Sequence, residues 1–266
     1  MIPFFHKILF FFQKTIFRYF GIFLSPEFFR KSKLFKINEF LNTNRPVKTI
    51  NLIRVGPKRN GGYLVPDCLN TIKYSFSPGV GGVVDFDLEL ANDYGIKTFF
   101  IDNSLSNLPV NHKNFNFLKY NLNSFNDNKN ITIKRWIEIS GVEDDNNLLQ
   151  MDIEGSEYDV LINTSIEELK KFKILIIEFH RFEMIFTDTG FRLLNSIFNK
   201  LRSEFNIVHI HPNDCCGSYK KGSIEIPRLL EYTFLRKDIS NSKGFINNYP
   251  NPLDHGSLTL PNCFFK

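Results

Sequence analysis

Cysteine is scarce and poorly placed for metal binding. The four, Cys68, Cys215, Cys216 and Cys263, include one adjacent pair and form no CxxC. That spacing excludes the usual zinc motifs and a disulfide framework, and makes a reducing, cytoplasmic compartment the default. Long apolar runs are missing too. No stretch reaches the ~20 residues that span a bilayer. Lys7, Lys14 and Arg18 interrupt what a cleavable signal peptide would need as a continuous apolar region. Excess charge is absent from the main body of the chain. The net charge is +5, yet residues 1–36 hold seven cations against Glu27, a net +6, which leaves −1 for the rest. A basic nucleic-acid surface is therefore not expected there, and no nucleic-acid partner is predicted.

What is present suits one large α/β domain with an extension. The chain has 266 residues, and 30 of them are Phe, enough to build a core. Residues 1–44 read as a Phe-rich, basic helical extension and 45–266 as the main domain. On a helix, Lys7, Lys14 and Arg18 fall near one face. Phe5, Ile8, Leu9, Phe12, Ile16 and Phe20 fall largely on the other. Such a helix can lie in a membrane interface, where its cations suit anionic lipid, making the protein peripheral at a membrane surface. The competing reading is a terminal helix docked on the domain or on a second subunit.

Beyond Pro46, strand and helix patterns alternate. Asn51–Val55 and Gly61–Val65 read as a hairpin, with Arg54, Lys58 and Arg59 as solvated turn charges. Lys73–Ser77 reads as a strand running into the glycine turn Pro78-Gly79-Val80-Gly81-Gly82. A helix follows over 83–94, then a strand over Lys97–Ile101 that ends at Asp102. Strand, glycine turn and helix let backbone approach a nucleotide-like ligand, and an acid ending the second strand is placed for ribose hydroxyls. Phe115–Tyr120 reads as a third strand and 131–139 as a β-to-helix passage.

Leu148–Leu161 (LLQMDIEGSEYDVL) organises the rest. An apolar strand ends at Asp152. Gly155 permits a sharp turn, Ser156 can cap a helix, and Glu157 and Asp159 suit that helix's first turn. A carboxylate on an apolar strand is costly without a partner, so Asp152 reads as functional, with Glu154 beside it. Ser165 and Glu168 form a capping-box pattern. Lys173–His180 (KILIIEFH) reads as a central parallel strand whose polar end lies at the ligand edge. Phe191, Leu194, Phe198 and Leu201 repeat at helical spacing as core. Phe205–His211 and Leu229–Arg236 read as strands, and the connection 212–227 has no crossover helix, so they should pair antiparallel. Residues 239–266 read as an irregular tail.

Several segments resemble the FkbM-type methyltransferases. They are RVGPKRNGGYLVP at 54–66, SFSPGVGGVVDFD at 75–87, FFIDNS at 99–104, the 148–161 motif, IIEFH at 176–180, HIHPND at 209–214 and LLEYTFLRKD at 229–238. They run in the family's order across about two-thirds of the chain. Asn60, Pro78 and Asp214 depart from its usual pattern. The resemblance implies a Rossmann-like class I methyltransferase sheet, mostly parallel with a terminal antiparallel pair. It also implies S-adenosyl-L-methionine as cofactor and O-methylation of a sugar, a glycan or another small-molecule hydroxyl. On that reading Gly79, Gly81, Gly82 and Asp102 bind the cofactor. Asp152 contacts its charged end or the acceptor hydroxyl, and Glu154, His211 and Asn213 bind substrate. His180 is the candidate general base, since its ordinary pKa is near neutral, against a satisfied structural histidine. Asp152, Glu178, His180, His209 and His211 could also converge on a metal, of a kind the spacing does not select. Two rivals stand beside this reading: an NAD-dependent oxidoreductase, and a non-catalytic membrane adaptor that retains the fold.

Overall fold

The computed structural model describes residues 31–58, 61–213, 215–240, 242–246 and 250–255. The amphipathic pattern of residues 1–30, together with Arg59, Asn60 and Asp214, lies outside them. Among the described residues no helix is long and apolar enough to cross a membrane.

A seven-stranded sheet forms the centre. Its members are β3 (Tyr74–Pro78), β4 (Lys97–Ile101), β5 (Phe115–Leu118), β8 (Asn147–Met151), β9 (Phe172–Phe179), β10 (Phe205–Pro212) and β13 (Leu230–Arg236), in the spatial order β10-β13-β9-β8-β3-β4-β5. β3 pairs parallel with both β4 and β8. The chain first winds outward from β3 to β5, then returns past it to β8 and β9. This reversal opens a crevice outside the carboxyl ends of β3 and β8, where open α/β sheets hold ligands. β13 runs antiparallel between β9 and β10, so the predicted terminal antiparallel pair is present. The sheet is the expected mostly parallel, Rossmann-like one with a terminal antiparallel pair.

Alternation along the strands sorts side chains to two faces. Leu149, Leu175 and Ile177 face a core that contains Trp136 of α3 (Ile133–Ser140), Val160 of α4 (Glu157–Asn163) and Phe198 of α6 (Asp188–Glu204). Leu148, Ile174 and Ile176 face a second core. That core is closed by α2 (Asp85–Asp93) and by the antiparallel hairpin β1 (Leu52–Val55) and β2 (Tyr63–Pro66). Every residue of β9 is buried, as its continuous apolar run requires.

Some local expectations need correction. α1 (Lys31–Thr43), assigned to the extension, buries Ile37, Phe40 and Leu41 in the main core. Its Lys33 pairs with Asp188 at 2.7 Å. The stretch 212–227 is more than a loop. It contains the hairpin β11 (Ser218–Lys221) and β12 (Ile224–Pro227), whose first strand is polar and mostly exposed and so has no apolar alternation to betray it. The two-residue strands β6 (Asn121–Leu122) and β7 (Asn130–Ile131) pair in parallel ahead of α3. Cys215 and Cys216, expected to belong to no disulfide framework, are paired with each other as a vicinal disulfide. The capping box appears as predicted on α5 (Ile166–Leu169).

Candidate active site

The glycine turn leaves β3 against the end of β8. Gly79 has φ +77° and donates its N–H to Ile101 O at 3.1 Å. A Cβ there would stand 1.8 Å from the carbonyl oxygen of Asp152, so only glycine lets the two strand ends approach this closely. Gly81 N–H reaches Asp102 Oδ2 at 3.4 Å, while Asp102 Oδ1 accepts from Ser104 N (2.7 Å) and Oγ (2.6 Å). Partial burial works to raise the Asp102 pKa. Hydrogen bonds from Ser104 and from the backbone of Gly81 and Leu105 outweigh it and hold the carboxyl below its ordinary range. Asp102 is therefore an ionised acceptor at the tip of the second strand.

A cavity of about 610 Å³ joins these pieces. Gly79, Gly81, Asp102, Asp152, Glu154 and Asn213 all line it. Gly82, His180 and His211 do not belong to its wall. Its apolar side is Val80, Val83, Phe86, Ile101 and Leu122. Its polar side holds the carboxyls Asp87, Asp102, Asp152, Glu154, Glu178 and Glu231, and no cationic side chain among the described residues.

Asp87 is buried and accepts a 2.6 Å hydrogen bond from Ser77 Oγ. Burial pushes its pKa up to about 7 despite that bond. Between roughly pH 4 and 7 the folded protein keeps this proton and the unfolded chain loses it, so stability falls as pH rises through that window. Asp87→Asn keeps an acceptor for Ser77 without the charge. Thermal melts from pH 4 to 8 should show the variant matching the wild type at the acid end and gaining on the order of 1–2 kcal/mol at pH 8.

Glu178 and Glu231 sit opposite each other on β9 and β13, and Glu231 is also opposite His211 on β10. Burial, reinforced by neighbouring negative charge, pushes Glu178 up to about 9 and Glu231 up to about 8, and raises Asp152 in the same way. Asn213 Nδ2 donates to Glu178 Oε1 at 3.1 Å. Glu231 escaped the sequence reading although it carries the signal that singled out Asp152, an acid inside an apolar strand.

His180 follows β9 and stands behind Asp152. Its Nδ1 lies 2.9 Å from Glu157 Oε1, and its Nε2 lies 3.4 Å from Glu154 Oε2 and 3.7 Å from Asp152 Oδ1. Burial disfavours the charged ring, but the Glu157 hydrogen bond and the charges of Glu157, Asp152 and Glu178 prevail and push it up to about 9. Glu157 is fully buried and also accepts from Ile153 N (3.2 Å) and Gly155 N (3.1 Å). The expected Ser156 cap makes no side-chain bond, so Glu157 does the ordering of this turn. Of the five residues considered for a metal, Asp152 and His180 come together, with Glu154 as third member. His209 Nε2 (3.0 Å) and His211 Nδ1 (3.3 Å) instead face Asp254 Oδ1, which the tail delivers.

Residues 79–205 match the family described as the methyltransferase FkbM domain. That span begins at Gly79 and takes in Asp102, Asp152, Glu154 and His180, but ends before His211 and Asn213. A solved structure described as a fibrillarin/Nop5p complex is similar over 62% of this chain and 72% of that one, at 10% identity and a TM-score of 0.38. No curated protein matches the chain. From the glycine turn to the first residue of β10, a little under half of its length, the chain is similar to the methyltransferase FkbM domain.

Proposed function

We propose that the protein is an S-adenosylmethionine-dependent O-methyltransferase acting on a hydroxyl of a small, uncharged acceptor such as a sugar or glycan. One observation carries the reading: Gly79, Gly81, Asp102 and Asp152, far apart in sequence, line a single cavity at the point where the sheet reverses its winding. The wall chemistry fits the cofactor, because carboxyls with no cationic side chain beside them among the described residues suit a ligand that carries positive charge. When bound, the cofactor supplies a methyl group on a cationic sulfur.

The chain's own residues do the rest. Asp102, ionised, accepts the ribose hydroxyls, and the backbone at Gly79 and Gly81 leaves room for the amino-acid part. The apolar side of the cavity takes the base. An acceptor hydroxyl must give up its proton, and Asp152 is the wall carboxyl placed to receive it, since Glu178 and Glu231, pushed up to about 9 and about 8, keep theirs at neutral pH. Asn213 and Glu154 remain to orient the acceptor. His180 stands outside the wall, so its action on an acceptor passes through Asp152, and His211 stands outside the wall as well. On this reading an anionic substituent on the acceptor is disfavoured, since it would meet like charge.

The test is a thermal-shift comparison of S-adenosylhomocysteine with NAD. S-adenosylhomocysteine at 100 times its dissociation constant should stabilise the protein by about 2.7 kcal/mol, and NAD should leave it unchanged. Asp102→Ala should abolish the shift. Stabilisation by NAD alone would establish the oxidoreductase reading instead.

A further inference from the structure

We infer that Asp152, Glu154 and His180 form a binding site for one divalent transition-metal ion of the manganese or zinc kind. One oxygen or nitrogen from each lies within 4.8 Å of the other two. The separations themselves are informative. His180 Nε2 is 3.4 Å from Glu154 Oε2 and 3.7 Å from Asp152 Oδ1. Charge-assisted hydrogen bonds would draw such pairs to about 2.7–2.9 Å. Ligands about 2.0–2.2 Å from a shared tetrahedral ion stand roughly 3.3–3.6 Å apart, a range that holds the Glu154 separation and lies just short of the Asp152 one.

Two further features point to a ligand. Asp152 Oδ1, the atom that faces Nε2, is buried and has no hydrogen-bond partner. His180 is held from behind, with Nδ1 on the fully buried Glu157, which leaves Nε2 directed at the two carboxylates. A carboxylate behind a histidine is the arrangement that fixes ring orientation and tautomer at metal centres. The Glu154 side chain is 86% exposed, so the site is open on one side to water and to an acceptor oxygen. Two carboxylates with one imidazole suit Mn²⁺ or Zn²⁺ better than an all-oxygen preference such as that of Ca²⁺. What the ion would do, holding an acceptor oxygen beside the wall, rests on the reading above; the site itself rests on the geometry.

The experiment uses the full chain, stripped with chelator, and titrates Mn²⁺ by electron paramagnetic resonance and Zn²⁺ by calorimetry. One equivalent should bind. His180→Ala and Glu154→Gln should each weaken binding at least tenfold. Glu157→Gln should weaken it by about 10–100-fold while touching no ion. Asp254→Asn, outside the cluster, should leave it unchanged. Glu154 is exposed enough that its variant must fold, so a misfolded His180 variant does not spare the inference. Absence of saturable binding to the wild type at 1 mM of either ion, or full binding by Glu154→Gln, overturns it. A parallel calorimetric titration with S-adenosylhomocysteine separates the two ideas. Nucleoside binding without metal removes the ion alone, and metal binding without the nucleoside removes the methyl-transfer reading alone.

Discussion

Glu157→Ala should destabilise the protein by about 3–5 kcal/mol, the range for breaking a buried, hydrogen-bonded charge pair. One carboxylate oxygen, Oε1, serves the N–H groups of Ile153 and Gly155 and the ring of His180. Alanine leaves two backbone donors without an acceptor, each costing about 1–3 kcal/mol where water cannot replace it. It also frees His180 to turn. Denaturant unfolding measures the first effect, and the second should appear as a changed His180 ring resonance in NMR. Glu157→Gln retains an acceptor for the turn and should cost clearly less stability. Equal losses in the two variants would mean that the charge, not the acceptor geometry, holds this turn.

Gly79→Ala should cost about 2–3 kcal/mol and weaken S-adenosylhomocysteine binding more than tenfold. Two causes act together. The left-handed φ of +77° is strained for alanine, and its Cβ would overlap the Asp152 carbonyl oxygen at 1.8 Å. The oxygen belongs to backbone, so relief requires the end of β8 to move away from β3. That movement carries Asp152 out of the cavity wall and widens the crevice on which the cofactor reading depends. A domain of this size loses roughly 2–4 °C in Tm per kcal/mol, so the melt should fall by about 5–10 °C. Gly82, whose added Cβ would meet nothing within 4 Å, is the internal comparison. Its alanine variant bears backbone strain alone and should bind S-adenosylhomocysteine better than Gly79→Ala. A Gly79→Ala protein with unchanged affinity would show that the close approach of the two strand ends has no part in binding.

The sheet was legible because its strands advertise themselves. β9 is apolar at most positions, and β3, β4 and β8 are each followed directly by a glycine or an acid that breaks the run. The lack of a crossover helix between β10 and β13 was enough to require their antiparallel pairing. Asp152 and Asp102 could be picked out by cost, as acids at the ends of buried strands. Glu157 could not. Written after Gly155 and Ser156 it looks like an acidic first turn, and nothing in the pattern distinguishes a solvated carboxylate from a fully buried one. The partners of His209 and His211 were hidden for another reason. Asp254 lies more than 40 positions further along, in a tail without periodicity, and tertiary packing alone brings it to them. There, burial would raise Asp254, but the two histidine rings that face its Oδ1 hold it well below the carboxylate range. α1 was obscured by its own composition, since Phe and Lys in alternation suit a lipid surface and a helix docked on a core equally well.

The central claim is that a nucleoside cofactor occupies the cavity between Gly79, Asp102 and Asp152. A crystal soaked with S-adenosylhomocysteine tests it most directly. The ribose hydroxyls should lie on the Asp102 carboxylate and the amino-acid end against the Gly79–Gly81 backbone, with Asp152 in contact range. A ligand bound in the shallow hollow beside Gly56 and Asp93, or anywhere that leaves Asp102 untouched, would contradict it.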